Sequence, residues 1–136
     1  MGVYYQIANY DKRELIDLYA VTNIKRDAFS QWSLQTAILN TFLGFSWPDF
    51  PYDLGTWVGR WKRDRIQIQY DAEDESDERD EEQENWPDAG MMFLAWLDSH
   101  GWIDKWMFYA GWHQHWQTMN GTEDLRKWIG ESRSSG

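Results

Sequence analysis

The acidic segment at residues 71–84 constrains the fold of this chain more than any other stretch of its sequence. Ten of its fourteen residues are Asp or Glu and only Arg79 is basic, so the segment carries −9 of the formal net charge of −10. Closely spaced carboxylates repel one another and are costly to bury, so this stretch must lie outside any core. We therefore expect one globular domain over residues 1–130, with a flexible acidic loop at 71–85 and a disordered tail at 131–136.

Outside this segment the chain is almost neutral, with thirteen acidic and twelve basic residues. Aromatic residues make up 18% of the chain and eleven are tryptophans, which excludes a disordered protein. The charge balance disfavours direct nucleic-acid binding, because that function needs a basic surface facing the phosphates. The absence of cysteine, of a long apolar run and of a signal-peptide pattern favours a cytoplasmic protein with no membrane association.

Hydrophobic periodicity predicts an α+β fold. Residues 2–10 alternate as a strand does, and residues 56–70 predict a β-hairpin whose second strand places Ile66, Ile68 and Tyr70 on one side. Helices are expected within 30–45, 86–101 and 122–130, with Ser30 as the first N-cap, Gly44 and Gly101 at the ends of the first two and Gly130 ending the last. Residues 102–118 fit either one helix or two elements. The expected architecture is a small antiparallel sheet, the N-terminal strand plus the 56–70 hairpin, covered by three to four helices.

Two segments carry a resemblance to known proteins. The stretch "YYQIANYDKRE" near the start and the stretch "GRWKRDRIQIQYD" in the middle resemble a group of small uncharacterised bacterial proteins. Those proteins open with a similar tyrosine-rich segment ending in a basic pair and Glu, and carry a later GRW-x-x-D-R hairpin. The resemblance implies no reaction and no catalytic residue. It does imply a small protein that acts as a partner or inhibitor of another protein.

The charge distribution leads to the first functional hypothesis, an immunity-like or antitoxin-like inhibitor without enzymatic activity. Its acidic loop would dock on a basic protein partner, and exposed tryptophans would supply the strongest contacts. The four cations of "GRWKRDR" offer a competing intramolecular partner for the same carboxylates. The candidate partner-binding residues are Asp71, Glu73, Asp74, Glu75, Asp77, Glu78, Asp80, Glu81, Glu82, Glu84 and Trp86.

The tryptophan-rich C-terminal third supports a second hypothesis, a small-ligand binding module. Indole rings form platforms for sugars, bases or cations as well as cores. Pairs of tryptophans four residues apart are placed on one helix face by the helical repeat. The candidate pocket residues are Trp102, Trp106, Trp112 and Trp116.

An enzyme with an unrecognised histidine or carboxylate site is the third hypothesis. His113 and His115 are weak metal-ligand candidates, because residues two apart face the same way only on a strand; His100 is a further candidate. No nucleophile elbow, phosphate-binding glycine loop or dinucleotide fingerprint occurs in the sequence. We therefore expect a protein that is not an enzyme and uses no cofactor.

Overall fold

The computed structural model describes residues 4–18, 28–71, 83, 85–118 and 121–134. These residues form an α+β fold, as predicted, with one three-stranded antiparallel sheet and short helices. The strands are β1 (Tyr4–Asn9), β2 (Glu14–Ile16) and β3 (Ile66–Asp71). The helices are α1 (Ala28–Phe42), α2 (Ala89–Ser99), α3 (Ile103–Tyr109), α4 (His113–Thr118) and α5 (Gly121–Ser134), with a 3₁₀ turn at Gly55–Trp57. No helix in this part of the chain is long and apolar enough to span a bilayer.

The sheet is built differently from the predicted 56–70 hairpin. Only its second half is a strand: β3 pairs with β1 in antiparallel register, with Ile68 opposite Ile7, whereas residues 55–63 form 3₁₀ and turn structure. The third strand is β2, which pairs with β1 across the tight charged turn at residues 10–13 and gives the order β2-β1-β3. The prediction failed because alternation identifies a strand but does not identify its partner.

Three ion pairs join this charged turn and the first residue of β2 to the segment that precedes β3. Asp11 pairs with Arg65, with Arg65 Nε and Asp11 Oδ1 3.0 Å apart, and Lys12 pairs with Asp64. The third pair joins Glu14 to Arg60 and is described with the candidate site below. The two stretches that resemble other proteins, residues 4–14 and 59–71, therefore contact each other. Their ion pairs hold the turn between β1 and β2 against the residues that precede β3.

Helices and tryptophans cover one face of the sheet. Ile7 of β1 and Ile16 of β2 are fully buried, and they belong to the same core as Phe42 of α1 and Phe93 of α2. Ile68 is 48% exposed although it lies opposite Ile7, because α1 and α2 pack on β1 and β2, and β3 lies beyond them at the other edge of the sheet. Alternation in β3 correctly predicted two faces, but Ile68 does not reach the core.

Glycines follow three of the described helices, and one of them shows that residues 102–118 form two helices rather than one. Gly111 has a φ of 75°, a left-handed conformation that glycine adopts without strain, and it separates α3 from α4. Ser30 lies inside α1 and is not its N-cap, because the helix begins at Ala28. α5 continues through Gly130 to Ser134, so the predicted helix end and most of the predicted tail are wrong: a glycine in a helix costs about 1 kcal/mol but does not terminate it.

Candidate functional site

The two described residues of the acidic segment, Asp71 and Gln83, both contact the sheet. Asp71 is the last residue of β3 and pairs in register with Tyr4, while Gln83 is hydrogen-bonded to Gln6, two residues further along β1. Trp86 then packs edge-on against Tyr10, with ring centroids 5.7 Å apart. Asp71 and Gln83 are therefore two anchor points of the segment on one sheet. The other nine candidate carboxylates lie outside the described residues: Glu73, Asp74, Glu75, Asp77, Glu78, Asp80, Glu81, Glu82 and Glu84.

A network of glutamines forms the second anchor. Gln6 Nε2 donates to Gln69 Oε1 at 2.9 Å and to Gln83 Oε1 at 3.1 Å. Gln69 Nε2 and Gln83 Nε2 both reach the Tyr10 hydroxyl, at 2.7 and 3.3 Å, and that hydroxyl donates to Gln67 Oε1 at 2.7 Å. Gln6, Gln69 and Gln83 are buried, so these bonds satisfy groups that would be costly to leave unpaired. We call Tyr10, Gln6, Gln67, Gln69 and Gln83 the glutamine network.

Sequence reasoning missed this network. The alternation in β3 placed Gln67 and Gln69 together on one face, and such a face is usually solvated. In the structure Gln69 is fully buried because Gln83, fourteen residues away in sequence, returns over that face. A run of glutamines at period two was the only signal in the sequence, and it does not distinguish a solvated face from a covered one.

Two of the four neighbouring cations, Arg60 and Arg65, are paired with carboxylates outside the acidic segment. Glu14 accepts from Arg60 Nε at 3.1 Å and also contacts Arg60 Nη2. Arg65 donates to Asp11 from its backbone N–H at 2.7 Å and from Nε at 3.0 Å. Two of the four cations in "GRWKRDR" are thus bound to carboxylates of the first hairpin. Lys62 and Arg63 are exposed and make no ion pair with the residues that the structure describes.

The electrostatics of these pairs follow from their contacts. Hydrogen bonds from the Arg65 backbone and then from its side chain hold the pKa of Asp11 below its ordinary value of 3.8. The hydrogen bonds from Lys12 and Asn9 likewise lower the pKa of Asp64. Both carboxylates are therefore charged at neutral pH, and they reduce the positive charge at this end of the sheet.

The tryptophans predicted to line a pocket are mostly core residues. Trp106, Trp112 and Trp116 are at most 2% exposed, whereas Trp102 is half-buried and stacks on Tyr52 with ring centroids 4.6 Å apart. Of the ten tryptophan side chains that the structure describes, four are buried and six are half-buried. The tryptophans are thus less exposed than the inhibitor hypothesis expected. Among the Phe, Tyr and Trp side chains that the structure describes, the exposed ones are Phe45, Tyr52 and Phe108.

A separate cleft of about 460 Å³ opens beside α1. One wall is the α1 face formed by Ser33, Thr36, Ala37 and Asn40, which follow the spacing of one helical stripe. The other wall comes from the loop after α1 and from the end of α3. Its lining residues are Phe45, Trp47, Tyr109 and Ala110.

The histidine pair lies on a helix. His113 and His115 both belong to α4, where residues two apart diverge by about 200°, so the strand geometry required for a shared metal does not occur. His113 Nε2 lies 3.2 Å from Gln117 Nε2. His100 packs between the rings of Trp96 and Trp102, at centroid distances of 4.4 and 4.6 Å. Within the described ranges, no group of three His, Cys, Asp or Glu side chains is arranged to hold a metal ion.

Comparisons with protein-family models, with curated proteins and with solved structures give no match for this chain.

Proposed function

We propose that this chain is a cytoplasmic, non-enzymatic binding protein that inhibits or neutralises a basic protein partner, in the manner of an immunity protein or antitoxin. The observation that carries the proposal is the concentration of charge: −9 of a formal −10 lies in the fourteen residues 71–84. A dense anionic surface speeds encounter with a cationic partner and disfavours anionic ones.

The anchoring of this segment supports the proposal. A segment held at Asp71 and again at Gln83 has fewer conformations to lose on binding than a free chain of the same length. The engagement of Arg60 with Glu14 and of Arg65 with Asp11 supports it further. Arg60 and Arg65 are paired with Glu14 and Asp11, so they leave the negative charge of the acidic segment for a partner to meet.

The test is capture of partners from a lysate of the source organism at low salt, followed by affinity measurements on the purified complex. The decisive variant replaces Asp77 with Asn and Glu78 with Gln. Its matched control replaces Asp104 with Asn and Glu123 with Gln, which removes two exposed charges elsewhere. We expect the chain to capture a basic protein, and the affinity of that complex to fall by about tenfold or more between low and physiological ionic strength. The affinity should also fall in the Asp77/Glu78 variant and stay unchanged in the Asp104/Glu123 control.

Other results would reject the proposal. An affinity that does not change with salt, or an equal loss in both double variants, would mean that the acidic segment is not the docking surface. Capture of the same proteins after residues 72–82 are exchanged for a neutral Gly/Ser linker would lead to the same conclusion. The linker variant keeps Gln83 and Trp86, so both anchors on the sheet remain available.

A further inference from the structure

We propose that the cleft beside α1 is a binding site for a neutral sugar. The cleft uses no residue of the acidic segment, so this inference is independent of the proposed partner. Among the described residues, eight line the cleft and none of them is charged; three are aromatic and three others carry a hydroxyl or an amide. Its volume of about 460 Å³ lies within the range of about 300–1,000 Å³ that is usual for small-molecule sites.

The aromatic wall is held in place before any ligand arrives. Trp47 packs against Tyr109 at a centroid distance of 5.5 Å, against Phe45 at 5.7 Å and against the buried Trp106 at 5.9 Å. The Tyr109 hydroxyl donates to the Asp49 carbonyl at 3.0 Å, which ties α3 to the loop after α1. A preformed wall reduces the entropy that a ligand must offset on binding.

The end of α1 positions Phe45. The Phe45 N–H donates to the Asn40 carbonyl at 2.9 Å and the Gly44 N–H donates to the Thr41 carbonyl at 3.0 Å, the hydrogen-bond pattern of a Schellman motif. Gly44 has a φ of 116°, which only glycine adopts readily. The helix terminus therefore places Phe45, which is 48% exposed, in the lining of the cleft together with Asn40.

The chemistry of the two walls selects the ligand class. A sugar ring presents polarised C–H groups on its face, which suit the negative face of an aromatic ring, and hydroxyls at its edge, which suit Ser33 and Asn40. A phosphorylated or carboxylated ligand would find no cation among the described lining residues and would meet a protein of net charge −10. A wholly apolar ligand would desolvate the polar wall without replacing its hydrogen bonds.

The test is ligand-observed NMR on the full chain, followed by calorimetric titration of any sugar that binds. The probes are glucose, galactose, mannose, N-acetylglucosamine, cellobiose and maltose, with glucose 6-phosphate and adenosine as comparators. The variants are Asn40→Ala, which suits an exposed helix position, and Phe45→Ala. The control is Phe108→Ala, which removes an aromatic ring that is 67% exposed and does not line the cleft.

We expect saturable binding of at least one neutral sugar, weakened by about tenfold or more in the Asn40 and Phe45 variants and unchanged in the Phe108 variant. The proposal is overturned if no sugar in the panel binds, or if the cleft variants bind as the parent chain does. Tighter binding of adenosine than of any sugar, or of glucose 6-phosphate than of glucose, also overturns it.

Discussion

Replacement of Glu14 by Ala tests how the sheet edge is held together. Glu14 is 6% exposed, and its carboxylate is shared by two donors: Arg60, and the Trp61 indole, whose Nε1 lies 2.7 Å from Glu14 Oε1. Arg60 also lies over the Trp57 ring, with its guanidinium carbon 4.8 Å from the centroid. Truncation of Glu14 removes the acceptor of both donors without removing the donors themselves.

The expected cost follows from the burial of each donor. The fully buried Trp61 loses its acceptor, and an unsatisfied buried N–H costs about 1–3 kcal/mol. Breaking a buried ion pair costs about 3–5 kcal/mol, and the Arg60 side chain is 26% exposed, so its contribution is reduced by solvent. We expect a total loss of about 3 kcal/mol in the free energy of unfolding, a large fraction of the roughly 5–15 kcal/mol typical of a domain.

The assay is urea unfolding followed by tryptophan fluorescence and by far-UV circular dichroism. Glu14→Gln keeps one oxygen for Trp61 but loses the charge and the second acceptor oxygen, so its cost should be smaller than that of Glu14→Ala. In an Arg60→Met background, the Glu14→Ala change should cost less than in the parent chain.

Asp11→Ala serves as the control, because it breaks the exposed Asp11–Arg65 pair and should change stability far less. A Glu14→Ala loss below about 1 kcal/mol, or one no larger than that of Asp11→Ala, would refute the reasoning.

Two further perturbations test other contacts. The lowered pKa of Asp64 means that its ionised form is favoured in the fold, so the stability it contributes is present above pH 3.8 and is lost as the pH falls through its folded pKa. In the Asp64→Asn variant, the free energy of unfolding in urea should therefore fall less on acidification below pH 5 than it does in the parent chain. An equal fall in both proteins would contradict this. Asp88→Ala should destabilise the fold by about 2–4 kcal/mol in urea unfolding, because Asp88 caps α2 and also accepts from the backbone N–H of Leu18 at 2.8 Å. A loss below about 0.5 kcal/mol would show that neither contact matters.

Local signals predicted much of the helical structure. Gly44 follows α1 and Gly101 follows α2, as predicted from the sequence. Both have a positive φ, because a glycine in this conformation after a helix is a local backbone requirement. The end of α5 was predicted wrongly at Gly130, because Gly130 does not adopt the positive φ of a terminating glycine and a single glycine inside a helix costs only about 1 kcal/mol.

The candidate sites were harder to predict than the helices. The acidic segment was recognisable from composition, since charge density is a property of the chain alone. The cleft was not, because Asn40, Phe45 and Tyr109 come from elements whose relative placement no local pattern specifies. Burial of Trp106 and Trp112 was likewise undetermined, since an indole suits a core and a surface platform equally well.

The sequence by itself determined that this is an aromatic-rich α+β domain, with one dense block of negative charge that no core can contain. These properties depend on composition and on periods of a few residues. The tertiary structure alone decided that β3 pairs with β1, that Glu14 binds Trp61, and that Gln83 covers the polar face of the sheet. Such pairings join residues 47 to 77 positions apart. They stabilise the fold only after the chain has closed the loop between the two residues, and no local pattern reports that closure.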